Sequence, residues 1–183
     1  MTTICTPREV YDFWFVRCGR EFWFQPPPEL DVEISDVFRD THLALAAGIS
    51  DEWRADPICR LAAVIVLDQF PRNIYRGTPL AFATDGLALR EAKLALAADG
   101  DQAVEVACRT FFYLPFEHAE NIDEQERSVA LFTALGDAEY LDYAIRHRDV
   151  IAAYGRFPHR NAIIGRESTA AERDYLSRPG AGF

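Results

Sequence analysis

Apolar positions recur along this chain at helical spacing, in short runs separated by proline, glycine and capping residues. Thr6-Pro7-Arg8-Glu9 sets a capping threonine before a proline at the first helical position, with a glutamate three residues on, and predicts a helix from about Pro7 to Arg17. The stretch from Arg20 to Glu29, with Pro26-Pro27-Pro28, reads as a connector, because proline has no N–H to donate and its ring obstructs the preceding turn. A second helix is expected from about Asp31 to near Gly48. Asp56-Pro57 opens a third, which Pro71 is expected to close at about Gln69. Thr78-Pro79 starts a further stretch, broken near Asp85-Gly86 and reaching about Ala98. Asp101 is expected to cap a helix to about Tyr113, ended by Pro115. Asp123-Glu124-Gln125-Glu126 begins another, stopped by Gly136, and a longer one runs from about Asp137 to Tyr154, stopped by Gly155. Thr169-Ala170-Ala171-Glu172 caps a short last helix.

No segment alternates apolar and polar residues over strand length, so no sheet is assigned. The fold class is therefore all-α. Short antiparallel helices in sequence predict a helix-hairpin stack, either an irregular bundle or a tetratricopeptide-like superhelix. A 34-residue sequence period is absent, so the likeness to tetratricopeptide repeats is one of architecture alone. The 183 residues fit a single domain spanning 1–183.

Composition narrows the function classes. Hydrophobic residues make up 49% and aromatics 13%, which is enough to bury a core and unlike a disordered chain. The longest apolar run, Leu61 to Leu67, lies between Arg60 and Asp68 and falls far short of the roughly 20 residues of a membrane helix. The N-terminal stretch shows no basic segment followed by an apolar run, so no signal peptide or membrane partner is expected and the location is taken as cytoplasmic. The four cysteines, Cys5, Cys18, Cys59 and Cys108, have no paired spacing and read as small core residues in a reducing compartment. A net charge of −10 argues against nucleic-acid binding. Lys93 is the only lysine beside 18 arginines, and arginine suits fixed bidentate pairing with carboxylates or phosphates.

Polar residues that interrupt the helical regularity mark the candidate site. Leu61, Val64, Ile65 and Asp68 share one helix face, so Asp68 ends an apolar stripe and needs a cationic or hydrogen-bonding partner. Tyr140, Tyr143, Ala144, His147, Ile151 and Tyr154 share another, which turns His147 inward. Two loops, Asp68 to Gly77 and Gly155 to Ser168, each follow an apolar helix and each carry Phe-Pro, then Arg-Asn, an isoleucine and a later glycine. These loops are read as opposite walls of one concave site. Arg72, Asn73 and Arg76 come from the first; Arg156, His159, Arg160, Asn161 and Arg166 come from the second. Glu117, His118 and Glu120 lie at the break between them. Arginine forks orient carboxylates or phosphates. If there is chemistry, Glu117 or His118 is the candidate general base and His159 the candidate acid.

Glu117-His118-Ala119-Glu120 is not HExxH and lacks a second histidine at helical spacing, so no metal site is assigned, with Glu117, Glu120 and Asp123 kept only as a hard-cation alternative. There is no GxSxG, Walker-type or GxGxxG pattern. No cofactor and no reaction are specified by these residues.

Three long segments carry a family resemblance: Leu67 to Asp85 (LDQFPRNIYRGTPLAFATD), Phe112 to Val129 (FYLPFEHAENIDEQERSV) and Gly155 to Thr169 (GRFPHRNAIIGREST). Together with the opening Tyr11 to Phe15, they resemble the bacterial DUF924 family over nearly the whole chain. The resemblance implies an all-α, tetratricopeptide-like fold and a family of unassigned function, with no catalytic residues to carry over. Ala119 stands where that family commonly has serine, and Ala153-Tyr154 where it commonly has Arg-Phe.

Two functional readings follow. In the first, the polar loops bind a small anionic or zwitterionic molecule. In the second, the loops are structural clamps in a peptide- or protein-interaction module, with Trp14, Trp23 and Trp53 as possible anchors. An Arg–carboxylate pair at a helix end fits either.

Overall fold

The computed structural model describes residues 4–182, and all regular structure among them is helical. Thr6 accepts from the Glu9 N–H while the Glu9 carboxylate accepts from the Thr6 N–H, and this reciprocal cap opens α1 (Pro7–Tyr11), which continues as a π-helical turn over Asp12–Cys18. The helix α2 (Pro28–Ala47) begins on the last of the three prolines, where a missing N–H costs nothing. Asp56 caps α3 (Pro57–Val64) through the Cys59 N–H.

Pro71 does not close this helix. A π-helical turn, Ile65–Gln69, intervenes, and Pro71 then sits in the first turn of α4 (Phe70–Ile74). The expected Arg72-Asn73 loop is thus helical. Leu61 through Phe70 are buried on every side, so the apolar stripe is a wholly enclosed segment. After a 3₁₀ turn at Pro79–Phe82 comes α5 (Asp85–Leu96), the break having been expected near Asp85.

The next helix, α6 (Val106–Glu117), starts later than Asp101 and runs through Pro115. Asp101 instead accepts from the Tyr113 hydroxyl at 2.7 Å and from the Gln102 amide. Asn121, two residues before the expected acidic cap, opens α7 (Ile122–Leu135) by accepting from the Asp123 and Glu124 N–H groups. Gly136 ends α7 and Gly155 ends α8 (Ala138–Tyr154), both in the left-handed region (φ +79° and +70°) that a side chain would strain. Thr169 and Glu172 form the second reciprocal cap, for α9 (Ala170–Leu176).

The chain falls into two compact units. The first comprises the residues up to Arg76 together with Leu80–Pro115; the second comprises Gly77–Pro79 and the chain from Phe116 onward. In the first, α2 packs on α4, and α3 on α1 and α5. Its core is an aromatic lattice: Phe38 lies 4.6 Å from Phe70 and 4.8 Å from Phe13, and Trp23 and Trp14 both meet Phe111 edge-on. Trp14, Trp23 and Trp53 are all buried, and Trp23 Nε1 donates to the Trp14 carbonyl at 3.0 Å. They are core residues and unavailable as anchors for a peptide. In the second unit α7 and α8 form a helical hairpin, and α9 packs on a 3₁₀ turn at Pro158–Arg160. Val150, Ile151 and Phe157 anchor its core, with Tyr154 and Tyr175 packed against them. No helix among the described residues is long and apolar enough to cross a membrane.

Candidate functional site

Each candidate residue belongs to one of the two units. Arg72, Asn73 and Arg76 lie in the first; Glu117, His118, Glu120, His147, Arg156, His159, Arg160, Asn161 and Arg166 lie in the second.

In the first unit, α4 presents its polar groups to carboxylates. Arg72 Nη1 donates to Asp85 Oδ1 at 2.8 Å and lies 3.6 Å from Asp68 Oδ1, so the buried Asp68 has the cationic partner its position demanded. Gln69 Nε2 also donates to Asp68. Arg76 Nε and Nη2 clasp Asp31 at 2.6 and 2.9 Å, and Asn73 donates to the same carboxylate at 2.7 Å. Burial alone would raise the Asp31 pKa, but these donors outweigh it and hold the carboxyl below its ordinary value. These contacts fasten α4 to α2 and to the start of α5.

In the second unit, the loop after α8 carries two further clasps. Arg156 Nε and Nη2 meet both oxygens of the buried Glu172 at 2.6 and 2.8 Å. Those bonds, with the Thr169 N–H, hold the Glu172 carboxyl far below the usual range. Arg166 grips Glu120 through Nη1 at 2.6 Å and Nη2 at 2.8 Å, and Glu120 Oε1 also accepts from the Phe157 N–H at 2.8 Å. Arg166 Nε in turn donates to Asn161 Oδ1 at 2.9 Å, while Asn161 Nδ2 donates to Ser168 Oγ at 3.0 Å. Asn161 is wholly buried, and its two-sided amide ties the loop to itself.

Around the buried ring of Phe157 stands a different group. Arg160, 7% exposed, stacks its guanidinium 4.6 Å above the ring centroid and donates Nη2 to the His118 carbonyl at 3.1 Å. The His147 ring meets Phe157 edge-on at 5.5 Å and lies 6.5 Å from the His118 ring; the His159 ring is 5.6 Å from Phe157. The backbone of Gly182 lies against His159, so that a Cβ there would be 3.3 Å from His159 Cβ.

His147 was expected to face inward, and it does, although Tyr143 of the same expected face is 41% exposed. His147 Nδ1 is 2.8 Å from the Tyr143 carbonyl, which can only accept, so Nδ1 carries the hydrogen and Nε2 the lone pair. The same nitrogen is 3.3 Å from Glu117 Oε1. Burial drives the His147 pKa down to about 3, with help from nearby His118, Arg160 and His159. His159 is pushed down to about 4, again by burial first and then by Arg160, against a smaller opposing pull from Glu120. At neutral pH both imidazoles are uncharged and are weak bases. A general base works best near its own pKa, and His159 without a proton cannot serve as an acid. In this state neither imidazole is poised for proton transfer at neutral pH.

Sequence reasoning passed over Gln125 and Ser128. Both are wholly buried on α7, and with Phe132 they follow the i, i+3, i+7 spacing that would have revealed a shared inward face. Gln125 Nε2 donates to the Glu117 and Ala119 carbonyls at 2.6 and 2.8 Å and so caps the end of α6. Gln125 Oε1 and Ser128 Oγ have no hydrogen-bond partner among the described residues. Such a group costs about 1–3 kcal/mol when left unsatisfied. Among the described residues, no group of three or more His, Cys, Asp or Glu is arranged to hold a metal ion.

Comparison with other proteins returns the same family that the loop motifs indicated. Residues 10–180 match the bacterial proteins of unknown function designated DUF924. The solved structure of a protein of unknown function from Agrobacterium tumefaciens, ATU0120, is similar to this chain at 44% sequence identity, with a TM-score of 0.89 over 93% of this chain and 96% of that one. Curated proteins yield no match. From the family match and that identity over nearly full length, the chain belongs to the bacterial DUF924 family.

Proposed function

We propose that the second unit binds a small anionic or zwitterionic molecule at the cluster of His118, His147, His159 and Arg160. The observation that carries this reading is the gathering of two imidazoles, His147 and His159, and one buried guanidinium about the Phe157 ring, with the His118 ring 6.5 Å from that of His147. A guanidinium held against an aromatic face is already oriented, so little side-chain entropy remains to be lost when it meets a carboxylate or phosphate. The depressed imidazoles support the same sign of ligand. They are kept neutral partly by the positive charge of Arg160, and an incoming anion relieves that repulsion and favours their protonation. Binding is therefore expected to take up protons.

The other candidates have a different role in this reading. Arg72, Arg76, Arg156 and Arg166 each clasp a carboxylate with short hydrogen bonds, and we assign them to fixing the loops and helix ends. The burial of the tryptophans removes the anchors that favoured a peptide partner.

Thermal unfolding against a panel of small carboxylates and phosphates tests the proposal, with Arg160→Ala alongside. A ligand at about 100 times its dissociation constant adds roughly 2.7 kcal/mol. Stabilisation of the wild type that is lost in Arg160→Ala supports the site. Stabilisation that survives in the variant contradicts it.

A further inference from the structure

Two wholly buried polar atoms on α7, Gln125 Oε1 and Ser128 Oγ, lack a hydrogen-bond partner among the described residues, and they lie one turn apart on the same helix face. The orientation of the Gln125 amide is not a free choice. Its nitrogen end sits between two carbonyl oxygens, Glu117 O and Ala119 O, which can only accept, so the other end must be the oxygen. Both amide hydrogens are thereby used, and Oε1 offers nothing but lone pairs. Ser128 Oγ can accept as well.

This pair belongs to the same unit as the imidazole cluster and is tied to it through Glu117. Gln125 holds the Glu117 carbonyl, and the Glu117 carboxylate lies 3.3 Å from His147 Nδ1. The inward face of α7 meets that of α8 in their hairpin, and His147 is on the latter. One end of the arrangement offers a guanidinium and imidazoles; the other offers an amide oxygen, a hydroxyl and a nearby carboxylate. An anion alone satisfies only the first. A partner with several N–H donors satisfies the second, and an ammonium group does so through charge-assisted hydrogen bonds to the Gln125 and Ser128 oxygens.

We propose that the ligand is a zwitterion of the amino-acid class, with its carboxylate at Arg160 and its ammonium group donating to Gln125 Oε1 and Ser128 Oγ. This rests on the reading that the imidazole cluster binds an anion, and it adds the second pole. The assignment makes Gln125 and Ser128 specificity-determining residues, and Gln125 has a second task as the cap of α6.

Calorimetric titration with matched compounds differing only in the amino group provides the test: glutamate against glutarate, aspartate against succinate, and alanine against propionate. In the wild type the amino member of at least one pair is expected to bind roughly 10-fold tighter, the weight of a hydrogen bond to a charged group. Ser128→Ala puts the best helix former at a helical position and should keep the fold. It is expected to erase most of that preference while leaving the carboxylate's affinity unchanged. Equal binding within every pair overturns the zwitterion assignment and leaves the anion site standing, as does a preference untouched by Ser128→Ala; the two atoms would then merely hold an internal water. Binding of no compound in any pair overturns the zwitterion assignment, while the anion reading is decided separately by the panel of carboxylates and phosphates.

Discussion

His147 Nδ1 lies 2.8 Å from the Tyr143 carbonyl and 3.3 Å from Glu117 Oε1, so one N–H is placed between a backbone acceptor and a buried carboxylate. The imidazole is thereby fixed in one tautomer inside the α7–α8 hairpin, and its titration becomes a property of the fold.

The sign of the resulting pH dependence is definite. The His147 pKa is about 3 when folded, against an ordinary value of 6.5, so the unfolded chain takes up its proton first. Stability from this residue is complete above pH 6.5 and is lost as pH falls from 6.5 towards 3. Between pH 7 and pH 5 the expected loss is roughly 2 kcal/mol. Urea unfolding at the two pH values, in wild type and His147→Asn, reads it directly: the wild type should lose that much more stability than the variant. Equal losses would mean that His147 is protonated normally in the folded state.

The clasp between Arg166 and Glu120 joins the turn after α6 to the loop after α8, and it also positions Asn161 and the Phe157 N–H. Arg166→Ala is expected to cost about 2 kcal/mol, the scale of hydrogen bonds to charged groups. Glu120→Gln should cost less, since it keeps one acceptor for the Phe157 N–H. Chemical denaturation of both variants checks the order; a smaller loss for Arg166→Ala than for Glu120→Gln would show that the guanidinium is dispensable.

Gly182 packs its backbone against His159. Its φ of +88° is unfavourable for a side chain, and a Cβ would meet His159 Cβ at 3.3 Å. Gly182→Val is therefore expected to displace the segment or the imidazole and to shift the His159 ring resonances in an NMR spectrum, with the His147 resonances little changed. Unaltered His159 resonances would show that this approach does not constrain the ring.

The three tryptophans give a simple check on the first unit's core. All are at most 8% exposed, so their fluorescence should be blue-shifted and poorly quenched by iodide. Efficient quenching would return them to the surface and revive the peptide-anchor reading.

Much of the helical order was legible because it rests on local chemistry. Thr6 with Glu9, Thr169 with Glu172, Asp56 before Pro57, and Gly136 and Gly155 at helix ends all act within a single turn. The errors occurred where tertiary contacts decide. Pro71 read as a terminator, but the π-helical turn before it lets the chain continue, and an enclosed apolar segment holds that geometry in place. Asp101 read as a cap, but the Tyr113 hydroxyl claims its carboxylate. Pro115 read as a stop, yet α6 reaches Glu117, where the Gln125 amide caps it from the next helix.

The site divides in the same way. The histidines and arginines announced themselves as polar residues on proline-punctuated loops. Their partners did not, because Asp31, Asp85 and Glu172 look like ordinary surface acids until the fold pairs them. Gln125 and Ser128 were hidden for the opposite reason: short polar residues on a helix read as solvent-facing, and only the tertiary packing of α7, which sets Gln125 on the end of α6, buries them.

Histidine-selective ¹⁵N NMR at pH 6 distinguishes an anion seated among the imidazoles from an unliganded cluster. Without ligand, His147 and His159 should show neutral imidazole nitrogens at that pH, because their pKa values lie near 3 and 4. On titration with succinate and with inorganic phosphate, His159 is expected to move towards the imidazolium shift with at least one of these probes, and Arg160→Ala is expected to abolish the movement. Saturating concentrations of both that leave every imidazole nitrogen unchanged would contradict the anion site.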